Sequence, residues 1–154
     1  MANFDSSFYT AQALAIATSS GDAPNLKAAG GEVQMIHATI TLTSATADAD
    51  LLRICYLPKS AKVIPSLSKV QCHADPGTTL VLDIGISTDV DLFADGIVLS
   101  GGGAVAFDAN VCLQARVPAQ LTAETLVYAT IPTSGAGTVT DGSLVTFWIA
   151  YTLG

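Results

Sequence analysis

The chain has 154 residues, half of them hydrophobic, with thirteen acidic side chains against six basic ones and a formal charge of −7. That length suffices for one domain with its own core. The apolar content is spread among Ala, Val, Leu and Ile, and no run approaches the ~18 residues that a bilayer crossing needs. The acidic balance excludes a phosphate-backbone binder, which would present a basic stripe. Because the first charge is Asp5, Met1 to Ser20 also lacks the basic start of a secretory signal.

Positions 1–31 differ in character from the rest. They hold Phe4, Phe8 and Tyr9, the small-residue run Ala11 to Gly21, Pro24 and the pair Gly30-Gly31. Ala11 to Thr18 could form about two helical turns, but without a polar face it lacks the contrast that stabilises a short surface helix. The reading is an extended N-terminal arm, ordered by packing on its own domain, a neighbouring subunit or a partner. Three aromatics are not what a purely solvated tail carries.

Residues 32–154 read as one β-domain. Glu32 to Thr43 alternates, with Ile36, Ala38, Ile40 and Leu42 inward and Met35, His37, Thr39 and Thr41 outward. Asp50 to Leu57 is a second strand, closed by Pro58. Ala61 to His73 is a third, interrupted by Pro65, whose missing N–H confines it to an edge, a strand start or a bulge. Asp75-Pro76-Gly77 has turn chemistry. Thr79 to Ser87 is a half-buried strand with Leu80, Leu82, Ile84 and Ile86 on one face.

After that strand the aspartates Asp89, Asp91 and Asp95 surround Leu92 and Phe93, which predicts an acidic loop anchored by its aromatic. Gly96 to Ser100 is a short strand ended by Gly101-Gly102-Gly103, where three glycines cost too much entropy to continue. Ala104 to Phe107, Val111 to Val117 and Thr125 to Pro132 follow. In the last strand, Leu144 to Leu153, the residues Val145, Phe147, Ile149, Tyr151 and Leu153 make an unbroken apolar face, so that strand is predicted to be central. The fold class is all-β, a β-sandwich or jelly roll of about eight antiparallel strands with an extended N-terminal arm.

Charge is segregated along the chain. Lys59, Lys62 and Lys69 carry half of the bases, whereas Asp75, Asp83, Asp89, Asp91, Asp95 and Asp108 fall between Lys69 and Arg116 with no base among them. Segregation of this kind suits contact with a complementary surface, and equally a solvated acidic region. Cys55, Cys72 and Cys112 match no CxxC pattern and read as buried thiols among apolar neighbours.

Chemistry has few places to come from. His37 and His73 are the only histidines, both in predicted strands, and no GxSxG turn supplies a nucleophile. Asp89 to Asp95 opens like a calcium loop, but Phe93 stands fifth, Ala94 sixth and Ser100 twelfth, so it is not an EF-hand. An irregular site built on Asp89, Asp91 and Asp95 is the alternative to an Asx-turn loop. Trp148, the only tryptophan, reads as a packing residue rather than a sugar platform. No enzyme activity, metal or cofactor is expected.

The segment LPKSAKVIPSLSKV from Leu57, followed by DPGTTLVLDIGISTDVDLFADGI, resembles capsid decoration, or cement, proteins of tailed double-stranded DNA bacteriophages. The matching features are the Leu57-Pro58 turn before a strand, the LDIG strand Leu82 to Gly85, and the acidic run with Asp89, Asp91 and Phe93. The resemblance implies a homotrimer on the outer surface of the virion, made in the host cytoplasm, whose partner is the major capsid protein and which cements neighbouring capsomers without contacting nucleic acid or membrane. The candidate contacts are Phe4, Phe8 and Tyr9 of the arm, and Lys59, Lys62 and Lys69. The alternative is a tail- or fibre-associated module, or another carbohydrate-binding sandwich.

Overall fold

The structure, a computed structural model, describes residues 3–6, 33–73, 80–99, 102–107, 120–132 and 139–154. Among them are ten strands: β1 (Asn3–Asp5), β2 (Gln34–Thr41), β3 (Leu51–Leu57), β4 (Ala61–Val63), β5 (Lys69–Cys72), β6 (Leu80–Ile86), β7 (Asp89–Leu99), β8 (Ala104–Ala106), β9 (Thr125–Thr130) and β10 (Leu144–Leu153). One sheet runs β1-β3-β9-β6-β7; the other runs β2-β10-β5-β8, with β4 also on β10. Setting aside β1 and β4, eight strands remain. The first, eighth, third and sixth of them form one sheet, and the second, seventh, fourth and fifth form the other. This is the strand order of a jelly roll, two Greek keys folded face to face. Among the described residues no helix is long and apolar enough to cross a membrane.

The period-two pattern decides which residues lie between the sheets. Ile36, Ala38 and Ile40 of β2, Leu80, Leu82 and Ile84 of β6, and Val145, Phe147, Ile149 and Tyr151 of β10 are all buried in one core cluster. β10 is central, as expected, with β2 on one side and β4 and β5 on the other. Cys55 and Cys72 are buried, and burial pushes the Cys55 thiol far up, into a range where it stays protonated and unreactive. The Tyr151 phenol is also raised, first by burial and then by the neighbouring Cys55.

The interruption predicted at Pro65 is a one-turn 3-10 helix, Pro65–Leu67. Proline stands where its missing N–H costs nothing. Ser68 repairs the break that this turn makes in the ladder on β10. The Ile64 N–H donates to the Ala150 carbonyl at 2.8 Å, the Ala150 N–H donates to Ser68 Oγ at 3.0 Å, and Ser68 Oγ donates to the Ile64 carbonyl at 2.9 Å. A buried hydroxyl thus takes the place of a strand carbonyl and gives the Ala150 N–H its partner.

The expected acidic loop at Asp89 to Asp95 is instead the first half of an eleven-residue strand, β7. The turn is only Ser87-Thr88, since Ile86 already pairs with Asp89. Three aspartates disguise the strand, and the alternation fails at Leu92, Phe93 and Ala94, which are buried in succession. The cause is irregular pairing, with register shifts between Leu82 and Ile84 and again between Ile84 and Ile86, so that β7 holds extra residues against the shorter β6. Gly96 adopts a positive φ of 61° at the first shift, and its N–H donates to Asp83 Oδ1 at 2.8 Å, replacing the lost ladder bond. Phe93 does anchor the segment, being buried in the core.

Asn3 to Asp5 of the N-terminal arm form β1, which lies parallel to β3 with Phe4 in register with Leu52. Phe8, Tyr9, the Ala11 to Thr18 run, the Asp75-Pro76-Gly77 turn, the Val111 to Val117 strand and Cys112 lie outside the described residues.

Candidate functional site

The three lysines of the basic segment behave differently once folded. Lys59 is exposed in the turn before β4. Lys62 and Lys69 sit seven positions apart, which in one continuous strand would put them on opposite faces. The 3-10 turn between them resets the alternation. Lys62 pairs with Thr152 and Lys69 with Trp148, both on β10, so the two side chains share the outward face of that sheet, about 13 Å apart along the strand.

Trp148 belongs to this face and not to the core, contrary to the packing role expected for it. Its parity on β10 is opposite to that of Phe147 and Ile149, and it is half-buried. Lys69 Nζ stands 4.7 Å from its ring centroid, a cation–π contact of about 0.5–1 kcal/mol at a surface. The His37 ring lies 5.4 Å away on the other neighbouring strand. In the next row His73 Nε2 and Thr146 Oγ1 are 2.7 Å apart, with Thr39 Oγ1 3.5 Å from the same hydroxyl. Both histidines therefore have side-chain partners on the outer face. Met35, 57% exposed, and Leu144, 41% exposed, give the same sheet apolar surface at its rim.

The aspartates gather on the other sheet, around the β6–β7 hairpin. The Asp83 carboxyl is pushed up from its ordinary range by partial burial and by the Asp95 and Asp91 carboxylates, against the opposing Gly96 N–H. Asp89 is pushed up as well, first by a side-chain hydrogen bond with Asp91, then by burial and by the charge of that same neighbour. Two neighbouring carboxylates disfavour ionisation of the pair, which is the cause of the shift. Asp95 does not complete a ligand set with them, and among the described residues no three His, Cys, Asp or Glu side chains form a metal-holding group.

The sign of the pH dependence follows. A carboxyl raised in the folded state binds more protons there than in the unfolded chain, so these two groups favour folding more as pH falls from neutral towards the ordinary carboxylate range near ~4. Asp89→Asn should raise the melting temperature at pH 7, and its advantage over the parent should shrink on acidification, as followed by circular dichroism melts at both pH values.

Sequence reading missed Arg53 and Asp5, an ion pair with Nε and Oδ1 2.7 Å apart that ties β1 to β3. No short-range signal could have joined them, since the contact is set by the placement of β1 alone.

No family model matches the chain, and no curated protein matches its sequence. Solved structures do. A chain of the capsid of Ralstonia phage GP4 is 23% identical, with a TM-score of 0.57 over 81% of this chain and 86% of that one. A chain of the cyanophage Pam1 capsid asymmetric unit is 19% identical, with a TM-score of 0.53 over 82% of this chain and 89% of that one. At these identities the likeness is one of fold: most of this chain shares its two-sheet architecture with chains found in phage capsids.

Proposed function

We propose that this chain is a non-enzymatic virion structural protein of a tailed bacteriophage, a cement protein that binds the outside of the capsid as a trimer and bridges neighbouring major capsid proteins. The observation that carries this reading is the jelly roll shared, across most of both chains, with chains of two phage capsids. The outward face of the β2-β10-β5 sheet supports it. Lys69 lies over Trp148 there and Lys62 stands further along the same face, with exposed apolar side chains at the rim, a mixture suited to a protein contact. Many copies on one shell would add modest contacts into a strong effect on shell stability.

Co-sedimentation with capsids tests the proposal. Lys62→Glu with Lys69→Glu should weaken shell binding about tenfold or more, equal to about 1.4 kcal/mol, while leaving the melting temperature within a few degrees of the parent. A chain that never co-sediments with capsids would remove the cement role.

The outward placement of Trp148 is the one observation favouring a carbohydrate-binding module. Against it, Lys69 already lies over the ring that a sugar would stack on. A glycan-array signal lost on Trp148→Ala would shift the reading to that module.

A further inference from the structure

The strands of the β2-β10-β5-β8 sheet, β4 included, contain no aspartate or glutamate, in a chain with thirteen acids against six bases. Outward from this sheet stand Lys62 and Lys69, both histidines and the only tryptophan, with Lys69, His37 and His73 exposed. Asp141, in the turn before β10, accepts the Ser44 N–H at 3.2 Å. The strands of the other sheet hold Asp5, Asp83, Asp89, Asp91 and Asp95 against Arg53. The sandwich therefore has one acidic face and one cationic face.

The chemistry of the cationic face narrows what it can take. Lys62 and Lys69 are about 13 Å apart along the strand direction, too sparse for a phosphate backbone, which needs a dense basic stripe. Around them the surface is apolar, with Trp148 half-buried and Met35 and Leu144 exposed. Carboxylates set among apolar side chains match both features, and that mixture belongs to a folded protein surface. A second copy would offer its own aspartates, but those lie on the opposite face of the sandwich. A contact between opposite faces repeats in a row and does not close into a ring.

We infer that this face docks on an acidic patch of a protein partner, with Lys62 and Lys69 each set against an aspartate or glutamate and Trp148 against an apolar side chain. The inference rests on the cement reading above, in which that partner is the major capsid protein, and names the chemistry of the surface that is gripped. Lys69 is already held over Trp148, its Nζ 4.7 Å from the ring centroid, so it loses less freedom when it meets a carboxylate. Charge also sets the orientation of approach. An acidic patch attracts the lysine face and repels the aspartate face, so the protein lands one way up.

Carbodiimide, which condenses a lysine amine with a carboxylate into an amide at zero length, tests this on shells decorated with the unaltered protein. After digestion, mass spectrometry should find Lys62 or Lys69 joined to aspartates or glutamates of the major capsid protein. Raising the salt from about 0.05 M to about 0.5 M should weaken co-sedimentation roughly tenfold. Lysines 62 and 69 that acetylate equally fast on the shell and in the free protein overturn the inference and leave the cement reading standing. Links from Lys62 or Lys69 to Asp89, Asp91 or Asp95 of another copy overturn it in favour of self-association. A protein that never co-sediments with capsids overturns both the inference and the reading beneath it.

Discussion

Phe147→Ala is expected to cost about 3–5 kcal/mol of folding stability, the range for emptying a fully enclosed aromatic site. Phe147 is completely buried and lies on the central strand, flanked in register by Ala38 of β2 and Val70 of β5. Neither neighbouring strand can move in to fill the void without breaking its ladder to β10. Since whole domains are stable by only ~5–15 kcal/mol, urea denaturation should show a large drop in midpoint with an unchanged slope. Trp148→Ala, one position along the same strand but facing outward, should cost clearly less. Equal losses at the two positions would contradict the assignment of inner and outer faces.

Gly85→Ala is the second large effect, and it acts through the backbone. A Cβ at Gly85 would collide with the Asp89 carbonyl oxygen and with the main chain of Val90, because the start of β7 folds closely over this point of β6. Backbone cannot yield as a flexible side chain can, so the hairpin would have to open, at a cost of about 3 kcal/mol. Hydrogen exchange should quicken in β6 and β7 while the amides of β10 remain protected. An unchanged β7 in this variant would show that the hairpin has room to spare.

The contrast between these two sites reflects what the sequence could disclose. Phe147 was legible because Leu144 to Leu153 alternates without a fault, and the same regularity revealed β2 and the first half of the β6–β7 hairpin. The role of Gly85 was hidden, because the chain that approaches it belongs to a bulged strand whose aspartates imitate a loop. Period-two reasoning fails wherever one strand holds more residues than its partner, and Leu92, Phe93 and Ala94 are buried in succession for that reason. On the outer face, Lys62 and Lys69 were recognised as a group, but their common orientation depends on the turn at Pro65. The alternation of Leu144 to Leu153 sets Trp148 opposite Phe147 and Ile149, but a lone tryptophan on a central strand still reads as a packing residue, because nothing local announces its lysine and histidine neighbours. Strand β1 is three residues long, too short to carry a period, and its partner lies far along the chain.

The position of β10 also bears on when this molecule can take shape. The strand at the centre of the β2-β10-β5-β8 sheet is the last of the four to leave the ribosome, and until it does β2 and β5 have nothing between them to pair with. Most contacts then close over long sequence separations, which makes all-β domains slow to fold. A nascent chain cannot present a finished Lys62–Trp148–Lys69 face before β10 is complete. The face proposed to bind a shell therefore comes into being only after synthesis has passed it.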